Sequence, residues 1–426
     1  MKVAVIGAGK MGLPLACQIA SRGAEVVACD TSRRVVDSIN QGRMLFEEPG
    51  VDVLLSEAHK AGTIYATDDI GTGIRGCDVV IVIVPVLLTP GKEADLSVIE
   101  QVTTIIAGNL APGMMVSYET TLPVGTTRRR LAPVLESSGL KAGIDFDLVF
   151  SPERVKSGFV LRNLTSVPKI VGGVNERSAN RAEAFYCGYV GAPVINLESL
   201  EASELAKLAG MVYRDVNIAL ANELAAYSEQ AGVEFPSVLA AANTDGEAML
   251  LSPGIGVGGH CTPVYPYFVL QDAKARRVPM PLTESSRRLN DWQPARYLNR
   301  LAAAGIKLGG AAVGVLGLAF RPKVKEHICS PAFLIRAEAH KLGARVTLHD
   351  PLYSADEIRS HDFMPFDLSD DQLPSILILN TGHPEYVAVD FAEMRHRGVE
   401  HIVDGRNLWN GKDVINAGLT YAGPGV

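Results

Sequence analysis

Short runs of apolar residues alternate with segments of helical spacing through the first half of the chain. Residues 3–6 read as a strand and 11–22 as a helix. Residues 25–29 read as a second strand, followed by a helix over 35–41. Apolar runs at 79–84, 114–118 and 147–150 continue the series. Strands that recur between helices imply βαβ units and a parallel, doubly wound sheet. From 198 to 230 the sequence turns rich in Ala, Leu and Glu, with no proline and only Gly210 as an interruption, which predicts one long helix. Residues 253–266 are crowded with glycine and proline and predict no regular structure. Alternation resumes at Ala311, with strands over 313–316, 345–349, 376–380 and 402–403 and a helix over 332–341. The expected fold is α/β: two Rossmann-like doubly wound parallel-sheet domains joined by a long central helix. The boundaries read from the pattern are 1–195, a central segment 196–300, and 301–426. Each outer domain opens with strand, glycine-containing turn and helix.

Composition narrows the function classes. A chain of 426 residues with 47% hydrophobic content can bury two or three cores. A net charge of −7 offers no broad basic face, so no nucleic-acid partner is expected, although a local basic pocket for a phosphorylated substrate remains compatible. The longest apolar run, 79–88, contains Pro85 and is about half the ~20 residues a membrane helix needs. It reads instead as a strand buried on both faces, and no membrane partner is expected. The cysteines, Cys17, Cys29, Cys77, Cys187, Cys261 and Cys329, are scattered and form no C-x-x-C pair. That argues against a disulfide framework or zinc site and fits a reducing, cytoplasmic setting. The histidines show no metal spacing, so no metal is assigned. The first strand begins at once, so no signal peptide is expected.

Gly7-x-Gly9-x-x-Gly12 follows the first strand and opens a helix. Glycines there permit a tight turn and let backbone N–H groups approach a pyrophosphate at a helix N-terminus. Asp30 closes the second strand, where a carboxylate can accept hydrogen bonds from an adenosine ribose. It would repel a 2′-phosphate, which favours NAD. Arg33 and Arg34 follow closely and leave NADP open; as a plain alternative they are a solvated helix start.

A second motif is more specific. Gly254-Ile-Gly256-Val-Gly258-Gly259-His260-Cys261 precedes Pro263 and Pro266. Such a loop brings backbone close to a ligand and then fixes it, so Cys261 is expected to face substrate. His260 beside it is either a group that tunes the thiolate or a polar loop residue. Cys17, Cys29, Cys77 and Cys187 read as inert core thiols.

With these two stretches, several others resemble the UDP-glucose/GDP-mannose dehydrogenase family, and within it the UDP-N-acetylglucosamine and UDP-N-acetylmannosamine 6-dehydrogenases. Glu119-Thr-Thr121-Leu-Pro-Val-Gly125-Thr is similar to the family's S-T-x-P-x-G-T, and Ser151-Pro-Glu153-Arg154 to its S-P-E-R. Lys207 falls on a family lysine, the stretch from Tyr213 to Glu223 resembles that of the N-acetylhexosamine enzymes, and Gly314-Val-Leu-Gly317-Leu-Ala-Phe320-Arg-Pro322 resembles the opening of the nucleotide-sugar domain. The resemblance covers nearly the whole chain. It implies NAD as cofactor and oxidation of a sugar C6 alcohol to a carboxylate with two NAD per turn. Cys261, Lys207, Thr121 and Glu153 would be catalytic: Cys261 as nucleophile toward the C6 aldehyde, Lys207 as a fixed cation, Thr121 and Glu153 handling a water. Gly7, Gly9, Lys10, Met11, Gly12, Asp30, Arg34, Val84, Pro85, Thr121 and Glu153 would hold the cofactor. Arg154, Lys207, Arg214, Asn217, Gly256, Gly258, Gly259, Arg287, Phe320 and Arg321 would hold a UDP-sugar, with Arg287 reaching a neighbouring subunit's site in a homodimer. The plain alternatives are a surface i,i+3 pair of Lys207 with Glu204 and a helix-surface charge at Arg287.

The chain departs from the family pattern at the water site. Met211 stands where the family has Asn, one turn after the lysine, and Tyr265 where it has the Asp of C-x-P-x-D. Met cannot hold a water, and a phenol is a poor base at pH 7. Ile328 replaces an expected Arg, and Val86-Leu87 replaces a usual polar pair. Three readings follow: ordinary four-electron oxidation; an NAD-dependent enzyme that stops at the aldehyde, epimerises or eliminates; and a non-catalytic binder. Retention of Cys261, Lys207, Thr121 and Glu153 speaks against the third.

Overall fold

The computed structural model describes residues 1–426. The chain forms two compact units, residues 1–210 with 267–276 and residues 211–266 with 277–426. The first unit is built on eight strands: β1 (Lys2–Ile6), β2 (Glu25–Cys29), β3 (Ile64–Thr67), β4 (Val79–Val82), β5 (Met115–Tyr118), β6 (Asp147–Phe150), β7 (Lys169–Gly173) and β8 (Val194–Ser199). Their order in the sheet is β3-β2-β1-β4-β5-β6-β7-β8. Pairing is parallel through β6; β7 then runs antiparallel to β6, and β8 runs parallel to β7. The centre of the sheet is covered on both faces, so β4 and β5 are buried at every position and read as unbroken apolar runs. The helix Gly12–Ser21 is buried at all but one of its positions and seats Leu13, Leu15 and Ile19 in the main core. Pro14 is tolerated because the first turn of a helix has no intrahelical use for its N–H.

The expected strand over 79–88 is shorter than its apolar run. Pairing ends where the Ile83 N–H donates to Ile6 O, and the chain leaves the sheet before Pro85. Leu87 is exposed and Leu88 bridges to Ala94. Cys187 is a second correction. It lies on the solvent face of the helix Glu176–Tyr189 and is exposed, whereas Cys17, Cys29 and Cys77 are buried. Burial pushes the Cys17 and Cys29 thiols up to about 12 and Cys77 up to about 11, which leaves them protonated and unreactive at neutral pH.

The long helix predicted over 198–230 is the uninterrupted helix Leu200–Ala231, which contributes residues to both units. The second unit carries six parallel strands: β9 (Ala312–Leu316), β10 (Arg345–His349), β11 (Met364–Pro365), β12 (Ile376–Leu379), β13 (His401–Asp404) and β14 (Thr420–Ala422), in the order β11-β10-β9-β12-β13-β14. The two sheets repeat one local device. Gly7 has φ +99° and donates to Cys29 O at 2.8 Å; Gly317 has φ +102° and donates to His349 O at 2.8 Å. No helix is long and apolar enough to cross a membrane.

Candidate functional site

In the first sheet the strand order reverses between β1 and β4, and ligands of such sheets bind beyond the carboxyl ends of the strands at that point. The glycine turn lies there. A Cβ on Gly7 would come within 2.9 Å of Ile83 O, and one on Gly12 within 1.9 Å of Gly7 O, so only glycine lets turn, helix and sheet close up. Gly9 instead faces open space, which leaves room for a ligand to approach the backbone. The helix that follows has no acidic residue in its first turn and no side-chain cap, so its terminal N–H groups remain available to an anion. Asp30 Oδ2 accepts from Ala8 N–H at 3.0 Å and Oδ1 from Ser32 N–H at 2.9 Å. Each carboxylate oxygen still has lone-pair capacity for a ribose hydroxyl. Arg33 and Arg34 are exposed, and Arg33 pairs with Asp68 at 3.0 Å. These residues fit a dinucleotide.

The carboxyl ends of β4, β5 and β6 bring further expected residues to this edge. Thr120 Oγ1 donates to Val84 O at 2.6 Å, tying the segment that holds buried Thr121 to the one that holds Val84 and Pro85. Glu153 N–H donates to Glu119 O at 3.1 Å, which holds the segment after β6 against the segment after β5. Lys207 is 8% exposed and its ammonium donates to Glu153 O at 2.5 Å. Lys207 and Glu204 are both buried, so neither is part of a solvated surface pair. Glu204 is fully buried and accepts from Gly125 N–H, Thr127 N–H and Thr127 Oγ1. Burial pushes its carboxyl up to about 7, against the pull of those donors. Arg154 is exposed and its guanidinium donates to Pro168 O at 3.1 Å.

In the second unit the Gly254–Cys261 loop is held by its backbone. Ile255 N–H donates to Gly405 O at 3.0 Å, and Gly259 N–H to Ile328 O at 2.8 Å. A Cβ on Gly258 would fall 2.5 Å from Phe320 Cβ, so the loop lies directly against Phe320. Tyr265 starts the helix Tyr265–Arg276 and its N–H donates to Cys261 O at 2.9 Å, placing the phenol one turn after the thiol. Cys261, Phe320 and Arg321 are partly exposed.

Several supports of this loop escaped the sequence reading. Gly254 N–H donates to Asn222 Oδ1 at 2.9 Å, Asn222 donates to Asn290 Oδ1 at 3.1 Å, and Asn290 donates to Asp215 Oδ1 at 2.9 Å. Arg406 donates to Gly256 O at 3.1 Å and to Asn380 O at 2.6 Å, and burial pushes its guanidinium down to about 10. Arg287 belongs to the same network. The helix-surface alternative is corrected: Arg287 is 1% exposed and pairs with Asp215 and Asp291 of its own chain. Asn217 likewise spends its amide inside the chain, donating to Met249 O and Tyr213 Oη and accepting from Leu251 N–H. Arg214 is exposed.

Residues 1–190, 201–292 and 314–411 match, in that order, the NAD binding domain, the central domain and the UDP binding domain of the UDP-glucose/GDP-mannose dehydrogenase family. The chain belongs to this family. As a member it is an NAD-dependent nucleotide-sugar dehydrogenase. Among curated relatives, the UDP-N-acetyl-D-mannosamine dehydrogenase of Pyrococcus horikoshii is 34% identical over 96% of each chain. The UDP-N-acetyl-D-glucosamine 6-dehydrogenase of Pseudomonas aeruginosa is 31% identical, over 95% of this chain and 96% of its own. A solved UDP-D-ManNAc dehydrogenase from Pyrococcus horikoshii superposes with a TM-score of 0.89 at 33% identity, covering 100% of this chain and 99% of the other. A UDP-glucose dehydrogenase from Pyrobaculum islandicum gives a TM-score of 0.88 at 25% identity, with 100% and 97% covered.

Proposed function

We propose that the chain oxidises the C6 hydroxyl of a UDP-hexose or UDP-N-acetylhexosamine to a uronate, using Cys261 as a covalent nucleophile and two NAD per sugar. The observation that carries the reading is the Cys261 loop, whose glycines pack against Phe320 and whose backbone is pinned to Ile328 and Gly405. The names of the relatives support the substrate class. Gly7, Gly9, Lys10, Met11, Gly12, Asp30, Arg34, Val84 and Pro85 would hold NAD, which when bound would supply the hydride acceptor for C6.

The chain's own residues do the rest. The Cys261 thiolate adds to the C6 aldehyde, the sulfur–carbon bond forms, and the carbonyl pair moves to oxygen as a thiohemiacetal. Lys207 places a fixed positive charge for that oxygen. After the second oxidation a water attacks the thioester, its proton passes to Glu153, and the carbon–sulfur bond breaks to return the thiolate. Thr121 orients the water. Gly256, Gly258, Gly259, Phe320 and Arg321 contact the nucleotide sugar. Incubation with UDP-N-acetylmannosamine, UDP-N-acetylglucosamine and UDP-glucose, with counting of NADH, tests the reading. Two NADH and one uronate per sugar are expected from at least one substrate. No turnover of any of them would overturn it.

Tyr265 favours a second reading, because it stands one turn after Cys261 where a carboxylate would assist hydrolysis. On that reading the enzyme releases a neutral product after one NADH or none. Tyr265→Asp combined with Met211→Asn separates the two: faster uronate formation means a weakened water site, and a slower rate means a site reshaped for other chemistry.

Asp30→Ala removes a charge-assisted ribose contact, with an expected rise in the KM for NAD of about 10-fold or more at little change in the KM for sugar. A homodimer is part of the same proposal. Tyr213, Leu220 and Tyr227 recur at seven-residue spacing along the helix Leu200–Ala231 and are 56%, 44% and 73% exposed, an apolar stripe suited to a second copy. Leu220→Asp with Tyr227→Asp is expected to convert the dimer to monomer by light scattering.

A further inference from the structure

Beside Glu153 lies a buried charged cluster that the proposed reaction leaves unused. The Lys169 ammonium, at the start of β7, donates to Glu119 Oε2 at 2.5 Å, and the Tyr186 hydroxyl donates to Oε1 at 2.8 Å. Ser117 Oγ lies 2.8 Å from the Tyr186 hydroxyl. Glu119 is 1% exposed, Lys169 6% and Tyr186 0%. A buried ion pair adds little net stability, because desolvating the charges offsets their attraction, and apolar residues would fill the site as well. Such a cluster beside a candidate catalytic group calls for a functional account.

Three observations tie it to Glu153. The Glu153 N–H is bonded to the Glu119 carbonyl. Burial pushes the Glu119 carboxyl upward against the pull of Lys169, and the charge of Glu153 adds to that push, so the two carboxylates sense each other. Finally, Glu153, Arg154, Asn163 and Lys169 form the polar part of a small cavity of about 10 Å³ that Val155, Leu164, Val167 and Pro168 otherwise close. That is about the space one water centre needs. Asn163 Oδ1 is buried and has no protein partner.

We propose that a water seated in this cavity on Asn163 and Lys169 carries protons between Glu153 and the Glu119–Lys169 pair, making Glu119 the store for the proton that Glu153 takes up. The inference rests on the proposed role of Glu153 in releasing the uronate. After hydrolysis Glu153 holds the proton of the attacking water. It gives that proton to the cavity water, which gives one to Lys169 as Lys169 passes one to Glu119. Lys169 ends as an ammonium, Glu119 as a carboxylic acid, and Glu153 as a carboxylate ready for the next water. The stored proton then returns through Lys169 to the cavity water and passes to solvent at the cavity wall, where Arg154 is exposed. The groups that face Glu119 are Lys169 from β7, Tyr186 from the helix Glu176–Tyr189 and Glu153 after β6, with Arg154 at the cavity wall.

Three variants and one spectrum test this. Asn163→Leu fills the cavity without touching the ion pair, and Glu119→Gln with Lys169→Met removes both charges together so that neither is left unpaired. In rapid mixing, both variants are expected to form the first two NADH per site at the parent rate and then release uronate at least 10-fold more slowly. The acid limb of the pH profile is expected to shift in the double variant. Parent rates and an unshifted profile in both would overturn the proposal. In the protein without substrate, an infrared pH titration is expected to show a carboxylate that converts to a carboxylic acid above the usual carboxylate range, a band lost in Glu119→Gln; absence of the band overturns the store. That measurement needs no turnover, so it stands or falls separately from the Cys261 chemistry.

Discussion

Cys261→Ser is expected to lower uronate formation by at least about 10³-fold while leaving NAD binding intact. A serine hydroxyl at neutral pH is a far weaker nucleophile than a thiolate, so the aldehyde is not captured as a covalent adduct. The diagnostic is stoichiometry. Product is expected to shift from uronate to the aldehyde level, with no more than one NADH per sugar. Uronate formed at the parent rate would remove Cys261 from the mechanism. Cys187 and Cys329 are also exposed, so labelling experiments on this site require peptide mapping rather than a total thiol count.

Arg287→Ala is expected to destabilise the protein by about 3–5 kcal/mol, read as a fall in the denaturant midpoint. The side chain is buried against Asp215, which is itself 0% exposed. Truncation leaves a carboxylate in the interior without its counter-charge. Burial already pushes Asp215 upward and Arg287 pulls it back down, so the variant is expected to take up a proton there. Replacing both partners with apolar residues, as Arg287→Met with Asp215→Leu, is expected to recover most of the loss. Asp215 also anchors Asn290, and through Asn222 the backbone of Gly254. The single variant is therefore expected to loosen the thiol loop, with slower alkylation or turnover at Cys261 that the apolar pair does not fully restore. Loss of activity without loss of stability would mean that Arg287 contacts substrate after all.

What the sequence made legible follows from how local each signal is. The glycine turn at Gly7 and Gly12 is a property of consecutive residues, since no other side chain fits the contacts with Ile83 and Gly7, and it was read correctly. Central strands such as Asp147–Phe150 announce themselves by unbroken burial. Strand β3 is half-exposed and β8 is mostly so, and neither carries that signature. The run at 79–88 is longer than its strand because hydrophobicity reports burial and not hydrogen-bonded pairing; Val84 and Val86 are buried outside the sheet. That Arg287 is not a helix-surface charge is illegible locally, because its partner Asp215 lies 72 positions away on another helix. Glu119 and Lys169 left a trace that could have been followed. Each is a charged residue at the margin of an apolar strand, and a buried charge there demands a partner.

Strand β7 runs against β6, so the chain makes no return passage across the sheet between them. Residues 151–168 therefore remain on the side where β6 ends, and Glu153 and Arg154 reach that side without a crossover helix. Elsewhere in the sheet, a change in the length of a connection alters how a covering helix seats on its strands. Between β6 and β7 the connection carries the short helix Val160–Ser166, which seats Val160 and Leu164 in the main core. Insertions are therefore expected to be tolerated ahead of that helix, around exposed Lys156, where the scaffold beneath stays in register, and not within it.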